Sequence, residues 1–498
     1  MQFDVRKRRA DAGHQAHNAR RTLDPSSCYR ALQAHDARFD GKFFVGVSST
    51  GIYCRPVCTV RSPRRENCSF FASAAAAEVA GYRPCLRCRP ELAPGNAGVD
   101  AKVRLAQAAV GLIENGVLDD AGLEGLAARV GVTGRHLRRV FEAEFGVSPV
   151  AYAQTQRLLL AKRLLTDTAL PVTDVALASG FASLRRFNAL WKERYRMAPS
   201  RLRKERAVDA LPERLAFELA YRPPYDWDSM LAFLAARAIP GVEEVDGGAY
   251  RRTLAVAHRG AVHTGWIEVR RAPRRAALAV GVAPSLAKAI PAVLGQVKHA
   301  FDLACDPTVV DAALGELARS RPGLRVPGAF GGFEIAVRAV VGQQITVRAA
   351  RTLLARLVAT LGEPLADPPA GGPARLFPTA ARIAATEPAA LGRLGLTRAR
   401  ADALVALAQA VVRGDVVLQP GVDVEATVRA LEAIRGIGAW TAQYVALRAL
   451  AWPDAFPASD VVVLKALGET RAARAIIRSE AWRPWRAYAV LHLWRKAT

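Results

Sequence analysis

Apolar positions recur at two periods along the chain, and the change of period divides it. Between residues 100 and 205, Val103, Ala106, Val110 and Ile113 fall at helical spacing, which predicts an amphipathic opening helix. Ala127, Gly131, Leu137 and Val140 then take the core and turn positions of a helix-turn-helix. Ala176, Gly180, Phe187 and Leu190 repeat the arrangement with a turn one residue longer. The endings FGVSPVAY and YRMAPSRL make the duplication visible. From 211 to 325 the period shortens: LAVAHRGAVHTGWIEVRR and RRAALAVGV alternate as strands do, whereas SLAKAIPAVLGQVKHAFDL reads as helix. From 326 to 498, Ala/Leu/Arg patterning with few strand signals predicts helices throughout. Residues 26–95 are expected to form a separate small unit, and residues 1–25 a disordered basic tail. The expected class is multidomain and mainly α, with one α+β segment.

One stretch in the last segment organises the rest. Gly436-Ile437-Gly438 separates two apolar segments, the pattern of short helices joined by a tight turn. Glycines there let backbone approach a phosphate, and amides at the next helix N-terminus hold that anion without reading a base. Downstream, Ser459-Asp460 precedes the apolar run Val461–Leu464, which puts a carboxylate at the mouth of another helix. Taken singly, a GIG turn is a weak signal, and an Asp in that place is more often only an N-cap. Trp440 and Tyr444 between them give the joint spacing its weight.

Charge and cysteines sharpen the picture. Across 498 residues, 51% of them hydrophobic, Lys and Arg number 70 against 45 Asp and Glu, a net charge of +25. Several real cores and a polyanionic partner are expected. No run of eighteen apolar residues occurs, and the N-terminal stretch lacks the apolar core of a signal peptide, so the expectation is a soluble, cytoplasmic protein. Of seven cysteines, Cys54 and Cys58 form a C-x3-C pair and Cys85 and Cys88 a C-x2-C pair, which is tetrahedral zinc spacing for one ion. Cys28, Cys68 and Cys305 are expected to be buried thiols. A purely structural zinc module is the commoner meaning of such a site.

The words around these motifs carry resemblances. The hairpin with its downstream Asp resembles the helix-hairpin-helix glycosylase superfamily. Together with VRAVVGQQITV, RPWRAYAVLHLW and YRPPYDWDSMLAFLAARAIPGVE, it makes residues 211–498 similar to the AlkA family of 3-methyladenine DNA glycosylases. FFVGVSSTGIYCRPVC, RRENCSFF and GYRPCLRC resemble the N-terminal domain of the Ada adaptive-response family, and the two helix-turn-helix units resemble the AraC family, as in Ada.

The AlkA likeness implies Asp460 as the catalytic carboxylate, opposing an oxocarbenium-like sugar and orienting or deprotonating the attacking water. It also implies Trp440, Tyr444, Trp494 and Phe233 around the flipped base, Gly436 and Gly438 at the DNA phosphate, and Gln344 in the place of the DNA-wedging leucine. An alkylated purine is already cationic and leaves without a strong acid, so an aromatic cleft suits it. Trp440 stands where lyase-competent relatives place a Schiff-base lysine, which implies a monofunctional enzyme. The Ada likeness implies that zinc-bound Cys54 accepts a methyl group from DNA phosphotriesters. Methylation would remove about one of two net negative charges, easing DNA attraction to Arg55, Arg61, Arg64, Arg65, Arg83, Arg87 and Arg89. Arg135, His136, Arg138 and Arg139 on one recognition helix, and Arg185, Arg186 and Asn188 on the other, are candidates for successive major grooves, although any single Arg there is more often a phosphate contact.

Departures accompany the likeness. Arg435 replaces a hairpin proline, Val461 and Val462 replace larger pocket side chains, and Arg495 replaces a tyrosine, which predicts a more open cleft. No Cys-His pair of the O6-alkylguanine methyltransferase kind occurs, so that repair is not expected. Two readings follow: an alkylated-base glycosylase fused to a methylation-sensing regulator, or chiefly a transcription factor with a weak or inactive glycosylase-like tail. Expected partners are double-stranded DNA, both damaged and promoter, and RNA polymerase. The chain is expected to be monomeric and to bind no membrane.

Overall fold

The computed structural model describes residues 24–93, 101–114, 117–168, 170–202, 214–258 and 260–496. Two compact units result, Met1–Pro90 and Glu91–Thr498. The tail expected over residues 1–25 lies outside the described residues except for Asp24, whose carboxylate caps the first helix, and Pro25, which opens it. No described helix is long and apolar enough to cross a membrane.

The first unit holds a four-stranded sheet of order β3-β1-β2-β4, formed by β1 (Phe44–Val47), β2 (Ile52–Cys54), β3 (Cys68–Phe71) and β4 (Arg83–Pro84). The β1–β2 turn closes because Gly51 adopts φ 63°, where other residues are strained. Phe43, Val45 and Leu32 pack with Cys28 and Cys68 beneath the sheet. As expected, both thiols are buried, and burial pushes Cys28 up to about 11.

In the second unit, helices Gly134–Phe145 and Leu184–Tyr195 are the recognition helices of the two expected helix-turn-helix repeats, capped by Thr133 and Ser183. The turn glycines Gly131 and Gly180 both take positive φ, 75° and 96°. A five-stranded antiparallel sheet follows, in order β5-β9-β8-β7-β6: β5 (Leu215–Ala220), β6 (Glu243–Asp246), β7 (Ala249–His258), β8 (Ala261–Arg271) and β9 (Ala277–Val282). The predicted alternation is β7, β8 and β9, and the predicted helix is Ile290–Ala300 after a short 3-10 turn. Helices from Pro307 to Lys496 then form the body.

Sheet and body are fixed to each other by charge as well as by apolar packing. Glu334, buried, receives Arg252 at 2.8 Å and Arg338 at 2.6 Å. Burial raises such a carboxyl, but the two guanidiniums outweigh it and hold Glu334 down at about 2. Because both sides are paired, the desolvation cost is offset, and removing one partner would strand a buried charge.

Candidate active site and metal centre

Helices Val424–Glu432 and Ala439–Arg448 are the arms of the hairpin. At the turn, Gly436 sits at φ 93° with a would-be Cβ 3.0 Å from that of Ala403, so any side chain there would be both strained and crowded. Gly438 begins the second helix without a side-chain cap, which leaves its first amides available to an anion.

Asp460 is the N-cap of helix Val461–Leu467 and is only 8% exposed. Its Oδ1 accepts from the amides of Val462 and Val463, each at 3.0 Å, and from Trp494 Nε1 at 3.1 Å. Oδ2 accepts from Trp440 Nε1 alone, at 2.8 Å. Among the described residues, four N–H donors and no cation therefore fix the carboxylate, and the spare acceptor capacity lies on Oδ2. Capping and site-building are two uses of one side chain.

A cavity of about 530 Å³ opens onto Asp460 and is lined by Trp440, Tyr444, Trp494, Phe233, Arg237 and Arg448 among others. Trp440 stacks on Tyr444 at 5.4 Å between ring centres, and Phe233 on Trp494 at 6.3 Å. All four expected aromatics thus converge on the expected carboxylate. Val462 and Arg495 also line the cavity, and Arg495 is drawn to the Ser229 carbonyl at 2.7 Å. Among the described residues, the lining contains no lysine.

The cleft also holds cations that no sequence motif marks. Arg237 lies 3.8 Å from the Phe233 ring centre, and Arg448 lies 4.9 Å from it and donates to the Tyr444 hydroxyl at 2.7 Å. Burial alone would raise the Tyr444 phenol, but Arg448 and Arg237 more than offset it and hold it below its ordinary value. Phe233 thus lines the cavity as expected, with its ring packed against the protein's own guanidiniums.

Gln344 stands exposed at the tip between helices Gly332–Val341 and Val347–Leu361, at a left-handed φ of 55°. Its neighbour Gln343, to which the sequence patterns gave no role, donates to the Gly436 carbonyl and to the Thr441 hydroxyl, both at 2.9 Å. The tip is thereby latched to the hairpin. On the recognition helices, Arg135, Arg138, Arg139, Arg185, Arg186 and Asn188 are exposed, while His136 is half-buried and faces Arg139 at 3.2 Å.

Four sulfurs meet in the first unit: those of Cys54, Cys58, Cys85 and Cys88 all lie within 4.8 Å of one another. Sulfurs in a tetrahedral zinc site with bonds of about 2.3 Å stand about 3.8 Å apart, so one soft divalent cation fits. Packed together, these thiols do not titrate independently. Hydrogen bonding, foremost with Cys58, pushes Cys54 up; bonding with Cys54 pushes Cys88 up and pulls Cys58 and Cys85 down. Cys54 is 6% exposed, and Cys88 is the more open of the two. Arg55 corrects one expectation: its guanidinium is buried on Asp40, at 2.8 Å through Nε, and is unavailable to a DNA surface.

Comparison with known proteins places these sites in context. Four family models match: the metal binding domain of Ada over residues 27–91, a helix-turn-helix domain over 126–205, the AlkA N-terminal domain over 216–331, and the HhH-GPD superfamily of base excision DNA repair proteins over 337–487. The chain is similar to the "DNA-3-methyladenine glycosylase 2" of Escherichia coli K12, 40% identical over 278 residues, covering 56% of this chain and 96% of that one. It is also similar to the E. coli "Bifunctional transcriptional activator/DNA repair enzyme Ada", 39% identical over 155 residues, covering 31% of this chain and 42% of that one. The "Probable bifunctional transcriptional activator/DNA repair enzyme AlkA" of Mycobacterium tuberculosis is 38% identical over 488 residues, covering 95% of this chain and 96% of that one. With likeness running through nearly the whole of both chains, this protein belongs to the AlkA family of bifunctional transcriptional activator and DNA repair proteins.

Proposed function

We propose that the protein is a monofunctional DNA glycosylase that hydrolyses the N-glycosidic bond of alkylated purines such as 3-methyladenine, fused to a regulator that senses methyl phosphotriesters. The observation that carries the first half is the Asp460 carboxylate, held by four N–H donors at the mouth of an aromatic cavity. Hairpin amides grip a phosphate on the lesion strand, and the base turns out of the stack into the cleft. As the glycosidic bond breaks, positive charge gathers on the sugar, and the fixed carboxylate opposes it without reorganising. Oδ2, with one donor only, is the oxygen that faces the sugar and orients or deprotonates the attacking water. No lysine of the lining is at hand to form a Schiff base, so hydrolysis leaves an abasic site without strand cleavage.

For the second half, zinc in the four-cysteine site would supply positive charge that keeps the sulfurs as thiolates at neutral pH. Cys54 attacks the methyl carbon of a phosphotriester, an S–C bond replaces the O–C bond, and a phosphodiester anion leaves. One negative charge is thereby removed from the cluster, and promoter DNA meets less repulsion. Arg135, His136, Arg138, Arg139, Arg185, Arg186 and Asn188 make the contacts of the regulator with DNA.

The test is to incubate the purified protein with methylated duplex DNA and identify what it releases. Free 3-methyladenine supports the glycosylase, and its absence would overturn it. Incubation with DNA carrying methyl phosphotriesters, followed by peptide mass, should place one methyl group on Cys54 and none in Cys54→Ser. A methyl group on Cys88 instead would reassign the acceptor, and none anywhere would leave a structural metal module.

A further inference from the structure

The helix-turn-helix segment and the five-stranded sheet are not separately cored. Leu158, Leu164 and Val175 of the regulator share one buried apolar cluster with Phe217, Leu219 and Leu294 of the sheet domain. Helix Pro149–Asp167 lies against β5, helix Val172–Ala178 against the turn Pro284–Ala289, and helix Ala101–Glu114 against helix Ile290–Ala300. A void of about 90 Å³ at the seam is lined by Arg157 and Leu160 from one side and by Leu219 and Leu294 from the other.

Charge on this seam points the same way. The Arg163 side chain is 4% exposed, donates to the Glu218 carbonyl at 2.7 Å and lies 4.7 Å from the Phe217 ring centre. A buried guanidinium is tolerated where acceptors and ring faces meet it; Asp167 of its own helix lies 3.8 Å away, and the sheet domain adds the carbonyl and the ring. At the rim, Lys298 pairs with Glu114 at 2.9 Å. Loosely tethered domains keep solvated polar faces between them, whereas this seam joins one apolar cluster with a buried, partnered guanidinium and has paired charge at its edge.

We propose that this face is a permanent docking surface, seating the regulator on the sheet domain so that its recognition helices serve the repair enzyme as a second, built-in grip on DNA. The grip half of this rests on the glycosylase reading; the docking half does not. Exposed Arg135, Arg138, Arg185 and Arg186 then hold undamaged duplex on the same body that carries the cleft. A second grip held at fixed geometry adds to the first without the loss that a flexible tether imposes.

The test uses the full chain with a protease site inserted between Leu202 and Arg214. After complete cleavage, the two pieces should elute together as one species of the intact chain's size. Lys298→Glu should weaken the association measurably on dilution, and Glu114→Lys added to it should restore the wild-type affinity of the two pieces. Arg163→Glu should separate them; if that variant fails to fold, the charge exchange at Lys298 and Glu114 decides alone. Separation of the cleaved wild-type pieces would overturn the docking. For the grip, binding to a duplex with an abasic-site analogue is followed against salt. Arg135→Ala with Arg185→Ala should lower the slope of log affinity on log salt by about 0.9 for each DNA phosphate that these arginines neutralise. An unchanged slope overturns the second grip. Failure to release any base would count against the glycosylase and, with it, the grip, and would leave the docking standing, because the elution result does not depend on base release.

Discussion

The cleft at Asp460 and the cluster at Cys54 solve the same problem, holding negative charge in a poorly solvated place, by different means. Asp460 is surrounded by donors: two amides at a helix N-terminus and two indole N–H groups. Its charge is met by dipoles already in position, so the carboxylate needs no cation. The sulfurs at Cys54, Cys58, Cys85 and Cys88 mainly meet one another, with the Arg55 amide at 3.3 Å from Cys88 as one backbone donor. Charge there has to be met by a metal ion.

Substitutions at the cleft test its half of this contrast. Asp460→Asn keeps the shape and most of the donor contacts but removes the charge, so single-turnover base release should fall by about 10²- to 10⁴-fold while binding to damaged duplex persists. Retained excision in that variant would remove Asp460 from the chemistry. Trp440→Phe keeps a ring against Tyr444 but deletes the N–H to Oδ2. A hydrogen bond to a charged group contributes about 1.5 to 3 kcal/mol, so the rate should fall about 10- to 100-fold with affinity little changed. An affinity loss without a rate loss would mean that Trp440 only stacks. Smaller still, Gln343→Ala should slow excision from duplex about tenfold, and less where the lesion is unpaired, since the latch acts on base extrusion. Equal losses on both substrates would make Gln343 merely structural.

What could be read from the chain and what could not follow a physical division. Cys54 with Cys58, Cys85 with Cys88, the GIG turn and Asp460 before an apolar run are local patterns, because spacing along the chain fixes which groups share a turn or a helix end. The alternation read from Leu254 onward covers the second half of β7 and all of β8, while the first half of β7 went unread. Strand β5 and the four-residue β6 were missed; β6 is too short for a period to register. Gln343, ninety-three residues from the Gly436 carbonyl it holds, leaves no periodic trace. Arg237 and Arg448 end the helices that carry Phe233 and Tyr444, but no pattern in the chain marks either arginine, and only tertiary folding turns both guanidiniums into one cavity. Arg55 was misread for the same reason: proximity in sequence to the cluster did not reveal that Asp40 encloses it.

The most direct measurement is release of 3-methyladenine from methylated duplex DNA by protein stripped of metal with a strong chelator, with the fold of the N-terminal unit followed in the same sample. The account predicts that the unit around Cys54 loses its ordered structure and its methyl uptake, while base release continues within about twofold of the untreated rate, because the cleft meets its charge with N–H donors alone. Loss of base release on stripping, restored by adding zinc back, would contradict it.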